Sequence, residues 1–130
     1  MRMKPTVLVT GGARRIGAAI CSAFGRAGWH VVVHHGRSRT AAEALAASLP
    51  SAETVQCDLA DWNAASAMVE ALAAAHRDWS VLVNCASVFS EDTAKTLDPK
   101  TFDTSMRINA GVPARMAQGF LALSRAQDGR

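Results

Sequence analysis

No tyrosine occurs among the 130 residues, which leaves no phenol anywhere in the chain to act as a proton donor. Cysteine is scarce: Cys21, Cys57 and Cys85 are far apart and odd in number, offering neither a disulfide framework nor a paired zinc motif. They read as small buried hydrophobes. No apolar run approaches the roughly 18 residues a bilayer span requires, so a membrane partner is not expected. The opening segment MRMKPTVLVTGG leads straight into strand and turn rather than a signal peptide, which makes the cytoplasm the expected location. Low-complexity tracts are absent too. The net charge of +3 comes mostly from arginine, but no Lys/Arg-rich run with interleaved aromatics is present, so no nucleic-acid partner is expected.

What is present fits one globular domain over residues 1–130, with 49% hydrophobic and 19% charged residues. Short β-branched runs at Thr6–Thr10, His30–His34, Thr54–Gln56 and Val81–Asn84 alternate with alanine-rich segments of helical period. The first helix is expected to bury Ile16, Ile20, Ala23, Phe24 and Ala27 and to end at Gly28 as a left-handed cap. A second opens with a capping box, Thr40 and Glu43. A third starts at the N-cap Asp61 and reaches about His76, with Ala67, Met68, Ala71, Leu72 and Ala75 as its buried stripe. A fourth has Asp98 as cap and Pro99 in first position, and continues to about Arg125 through Phe102, Met106, Met116, Phe120 and Leu123. Strands apolar on both faces, each followed by a helix, imply an α/β fold with a parallel sheet covered on both sides.

The stretch VLVTGGARRIG, Val7 to Gly17, is where chemistry enters. A strand ending in Gly11-Gly12 and feeding a helix near Arg15 presents free backbone N–H groups and a positive helix end to an anion. A Cβ in such a turn would keep a phosphate from the main chain. Gly12 to Gly17 also has P-loop spacing, but Ala18-Ala19 stand where Lys and Ser/Thr would be needed, which argues against nucleoside triphosphate hydrolysis. At the end of the second strand the chain reads HHGRSRT, with His34, His35, Arg37, Ser38 and Arg39 and no carboxylate. An acidic residue there serves the ribose of NAD, whereas arginine serves the extra phosphate of NADP(H). With Arg14 and Arg15 in the turn, NADP(H) is favoured. Neighbouring histidines on a strand face opposite sides, so no metal site is expected.

Together these residues resemble the short-chain dehydrogenase/reductases, and most of all their pteridine reductase branch. TGGARRIG is similar to the family's TGxxxGxG turn, with Gly11 and Gly17 at the first and last glycines, Ile16 between, Arg14 as the basic residue of NADP(H)-dependent members, and Arg15 in place of the middle glycine. The resemblance implies that Arg15 reaches both cofactor phosphate and substrate. GRS at Gly36–Ser38 resembles the branch's His-Arg-Ser, which assigns Arg37, Ser38 and the adjoining His35 to the cofactor. CDL at Cys57–Leu59 resembles the Asp-Leu pair that holds adenine, through Asp58 and Leu59. NCASVF resembles the branch's Asn-Asn-Ala-Ser-x-Phe, so Asn84, Ala86 and Ser87 would line the cofactor, with Ser87 and Phe89 also at the substrate and Phe89 stacking on a flat pterin ring.

RINAGVP is similar to the family's Asn-x-x-x-Pro and implies a catalytic role for Asn109. Physically, Pro113 cannot donate to the carbonyl four residues back, which frees it to hold a water. The implied whole is a Rossmann-like doubly wound sheet, β-α-β-α-β-α-β-α, truncated before the fifth strand and lacking the Tyr/Lys part of the family's catalytic set. The expected function is NADP(H)-dependent hydride transfer to C=O or C=N of a small molecule, a pteridine first of all. The complete family fold is expected to be a homo-oligomer. A non-catalytic NADP(H)-binding module that needs a partner chain, and a reductase of another carbonyl such as a 3-oxoacyl thioester, remain alternatives.

Overall fold

The computed structural model describes residues 4–124. Four strands, β1 (Thr6–Val9), β2 (His30–His35), β3 (Ala52–Gln56) and β4 (Trp79–Val83), form one parallel sheet in the order β3-β2-β1-β4. Runs of valine and leucine dictate the central pair. Val7, Leu8 and Val9 of β1 and Val31, Val32 and Val33 of β2 have no exposed surface, which requires cover on both faces. Alternation along each strand sends Val7, Val9, Val31 and Val33 to one face, against the helices α1 (Arg15–Arg26) and α2 (Arg39–Ser48). Leu8 and Val32 go to the other, against α3 (Trp62–Ala75) and α5 (Val112–Leu123). Trp79 anchors that second layer, its ring 4.8 Å from Phe120.

Several expected details are corrected. On α1 the buried residues are Gly17, Cys21 and Gly25, with Ile20 and Phe24 packed beside them, whereas Ile16 is 71% exposed and Ala23 and Ala27 face solvent. The stripe is turned toward the small residues, because α1 lies too close to the sheet for large ones. Gly28 does take the left-handed conformation after the helix, at φ +91°. The Thr40/Glu43 capping box does not form: α2 begins two residues earlier, with Ser38 as N-cap and no side-chain cap, and Glu43 lies 4.0 Å from Arg39 instead. On α3 the buried set is Ala65, Met68, Val69, Leu72 and Ala73, so Met68 and Leu72 are retained while Ala67, Ala71 and Ala75 are exposed. A uniformly alanine-rich helix carries too little contrast to orient itself by sequence.

The last helical segment is broken in two. Between α4 (Pro99–Met106) and α5 a π-helical turn spans Arg107–Gly111, with Val112 N–H bonded to the Arg107 carbonyl. The wider turn sits where Pro113 cannot donate. Phe102, Met106 and Leu123 are exposed, Met116 and Phe120 buried; the expected end at Arg125 lies outside the described residues. No helix among the described residues is long and apolar enough to cross a membrane.

Asp61 and Asp98 cap as expected. Asp61 Oδ1 accepts from Asn63 N–H at 2.9 Å and Ala64 N–H at 3.1 Å, and Asp98 accepts from Thr101 N–H at 3.2 Å. Asp61→Ala is therefore expected to lower unfolding free energy by about 1 kcal/mol in urea titrations, whereas Thr40→Ala, which removes no cap, stays within about 0.5 kcal/mol.

Candidate functional site

The carboxyl ends of the strands open into a crevice of about 1070 Å3. Its floor is the turn between β1 and α1. A Cβ on Gly17 would stand 2.1 Å from the Gly11 carbonyl oxygen, so strand and helix meet here without room for a methyl group. Gly11 itself has φ +60°, and a Cβ there would lie 2.8 Å from Ala86 Cα. Arg15 adopts φ +52°, the left-handed region that side chains disfavour by about 1–2 kcal/mol. The turn thus keeps a glycine-like backbone at a position occupied by arginine.

Two polar side chains hold this turn to the other strands. Thr10 Oγ1 accepts from Cys85 N–H and Ala86 N–H, each at 3.0 Å, and Thr10 N–H donates to the Val83 carbonyl at 3.0 Å. These bonds tie the end of β1 to the end of β4. On the other side, Gly11 N–H donates to His34 Nδ1 at 2.9 Å, and His34 Nε2–H donates to the Cys57 carbonyl at 2.9 Å. The pairing fixes the neutral tautomer with its proton on Nε2. Burial pushes the His34 pKa below its ordinary 6.5; the Cys57 carbonyl opposes the shift and neighbouring His35 adds to it. Two thiols are held protonated by burial: it raises Cys21 to about 11, with Cys85 adding to the shift, and Cys21 donates weakly to the Gly12 carbonyl at 3.5 Å. Cys57 is raised by burial, then by Asp58 and Asp61.

Most of the expected site residues meet in the crevice. Gly11, Arg14, Arg15, Ile16 and Gly17 line it from the turn, Arg37 from the end of β2, and Asp58 and Leu59 from the segment after β3. Ala86, Ser87 and Phe89 line it from the segment after β4, Phe89 being 87% exposed. Arg14, Arg15 and Arg37 have no carboxylate within 4.0 Å among the described residues. Asp58 Oδ1 accepts from Ala60 N–H at 2.9 Å, which shapes the loop while leaving the carboxylate at the crevice edge.

Four expected residues are placed otherwise. His35 is buried on the opposite face of β2, with Nδ1 lacking a partner; period-two alternation gives the crevice to His34. Ser38 stands beside the lining as the N-cap of α2. Asn84 donates from Nδ2 to the Pro113 carbonyl at 3.3 Å instead of facing the crevice. Asn109 is also outside the lining: its Nδ2 donates to the Val88 carbonyl and its Oδ1 accepts from Val88 N–H, both at 2.8 Å. Its side chain therefore clamps the segment that carries Ser87 and Phe89. Thr10 and His34 were missing from the expected set. Alternation on β2 was the signal for His34; nothing local marks Thr10.

Two outcomes follow. Arg15→Gly is expected to stabilise the fold by about 1 kcal/mol in urea unfolding, since glycine accepts φ +52° freely. His34 titrates lower in the folded than in the unfolded chain, so its contribution is full above 6.5 and is lost as pH falls below that value. Unfolding free energy is expected to drop between about pH 7 and pH 5, with a shallower drop in His34→Asn.

Residues 5–130 match the family model described as short chain dehydrogenase. Versicolorin reductase stcU of Emericella nidulans is 33% identical over 106 residues, covering 78% of this chain and 40% of that protein. Pteridine reductase 1 of Leishmania tarentolae is 43% identical over a shorter stretch of 67 residues, 48% of this chain and 23% of the relative. The structure of FolM alternative dihydrofolate reductase 1 from Brucella canis, complexed with NADP, superposes at a TM-score of 0.81 and 33% identity over 92% of this chain and 49% of that one. The chain spans less than half the length of each, and reductases outside the pteridine branch match it as well as those within.

Proposed function

The chain belongs to the short-chain dehydrogenase family, and on that premise we propose that it is the NADP(H)-binding part of a reductase acting on a small C=O or C=N substrate, a pteridine foremost. The observation that carries this reading is the set of three arginines with no carboxylate partner among the described residues, around a turn with no room for a Cβ at Gly11 or Gly17. Such a turn is shaped for a phosphate at the main chain, and Arg14 and Arg37 for a second phosphate at the ribose. The bound form of a relative points the same way, since FolM of Brucella canis was solved with NADP.

When bound, NADPH supplies a hydride to a carbonyl or imine carbon. The residues of this chain bind and orient. Backbone N–H groups of the turn hold pyrophosphate, Arg14 and Arg37 hold the 2′-phosphate, and Asp58 at the crevice edge accepts from the adenine amino group. Ser87 and Phe89 form the substrate side, Phe89 offering an exposed ring to a flat heterocycle. Arg15, lining the same crevice, serves both cofactor and substrate. Asn109 acts as a positioning residue by holding Val88, the residue next to Phe89. With no tyrosine in its 130 residues, the chain offers no phenol as proton donor.

A second reading, a nucleotide-binding module that works with another chain, is favoured by β4 standing at a sheet edge and by exposed Leu97, Phe102 and Met106 beyond it. Calorimetric titration with NADPH and NADH tests the cofactor assignment. NADPH is expected to bind more tightly, with Arg14→Ala and Arg37→Ala each weakening NADPH about tenfold or more while changing NADH little. Equal affinity for the two nucleotides, or no effect of either substitution, would contradict it.

A further inference from the structure

At the opposite end of the sheet from the crevice, three side chains distant in sequence converge. His30 opens β2, Glu53 lies on β3, and His76 caps the C-terminus of α3. His30 Nε2 and His76 Nε2 each lie 2.8 Å from the same oxygen, Glu53 Oε1, and the three ligand atoms fall within 4.8 Å of one another. The imidazole side chains are 21% and 18% exposed, their rings tilted at 31° with centroids 5.2 Å apart, so both nitrogens are aimed by the fold. Glu53 is 44% exposed and leaves an approach open to solvent.

We propose that His30, Glu53 and His76 form a zinc-binding site, with water completing the coordination. Two imidazole nitrogens and one carboxylate oxygen are the donor set of a three-ligand zinc site, and imidazole discriminates against Mg2+ and Ca2+. Tetrahedral zinc at about 2.0–2.2 Å from each ligand separates them by roughly 3.3 Å, so the carboxylate needs only a small rotation outward and the two imidazoles a modest closure. His30 also has its outer partner in place: Nδ1 lies 2.7 Å from Ser51 Oγ. In the metal-free chain each Nε2–H donates to Glu53, and His30 Nδ1 accepts from the Ser51 hydroxyl. On binding, each imidazole exchanges its Nε2 proton for one on Nδ1 through solvent, so that both Nε2 lone pairs go to zinc; on His30 the Nδ1–H then donates to the Ser51 hydroxyl, which can play either role. A bound ion would pin β2, the edge strand β3 and the end of α3 together, roughly 17 Å along β2 from the crevice. The donors lie 23 residues apart in each step of the sequence, which is why no spacing motif announces them.

The test is calorimetric titration of the full chain with ZnCl2, MgCl2 serving as control, alongside thermal unfolding. One zinc per chain is expected, with a raised midpoint and no response to Mg2+. Glu53→Gln, which preserves shape, and His76→Ala are each expected to weaken zinc at least about tenfold, and Cys85→Ser to leave it unchanged. Should a variant fold poorly, a zinc-soaked crystal of the unaltered chain decides: an anomalous peak bounded by these three residues supports the site. No saturable zinc binding, binding lost with Cys85→Ser, or a peak elsewhere would overturn it and leave the cluster a hydrogen-bonded staple.

Discussion

The contact between Gly17 and the Gly11 carbonyl is the constraint on which the structure turns. With 2.1 Å between that oxygen and where a Cβ would be, helix α1 is seated directly on the end of β1. Close seating explains why the buried side of α1 consists of Gly17, Cys21 and Gly25. It also explains the left-handed backbone at Gly11 and Arg15, since the chain must reverse within a few residues. The same geometry turns the first N–H groups of the helix toward the crevice, where an anion can meet them. Packing and binding are thus one arrangement seen from two sides.

Around this contact the strand ends are tied by side chains rather than by the sheet ladder. Thr10 joins β1 to the segment after β4, and His34 joins β1 and β2 to the segment after β3. Each is buried and each satisfies backbone groups that the ladder leaves open. His34 can do so only as a neutral ring, because its Nδ1 must accept. Burial enforces that state, and the turn between β1 and α1 inherits the pH sensitivity of the imidazole that holds it.

The strands were legible because unbroken valine runs have one solution, a sheet covered on both faces. Asp61, Asp98 and Pro99 were legible because capping is chemistry local to one turn. Helix orientation was not: in α1 the tight seating overrode hydrophobicity and expelled Ile16, and in α3 alanines on every side gave no direction. The capping box at Thr40 failed because α2 starts two residues earlier, after Ser38. In the crevice, the residues of the glycine turn line the cavity as their spacing implies, whereas on β2 alternation turns His34 and not His35 toward it. Asn109 shows a further limit. Its pairing with Val88 spans 21 residues and depends on the π-helical turn that puts its amide opposite that segment. The His30, Glu53 and His76 cluster was invisible for the same reason, being assembled only by the fold.

Arg14, Arg15 and Arg37, with no carboxylate partner among the described residues, and the glycine turn form the proposed site for a 2′-phosphorylated dinucleotide. A crystal structure of the chain grown with NADP+ tests it most directly. Pyrophosphate is expected against the backbone of Gly11–Gly17 and the 2′-phosphate between Arg14 and Arg37. A nucleotide bound elsewhere, or one in this crevice with its 2′-phosphate directed to solvent away from both arginines, would contradict it.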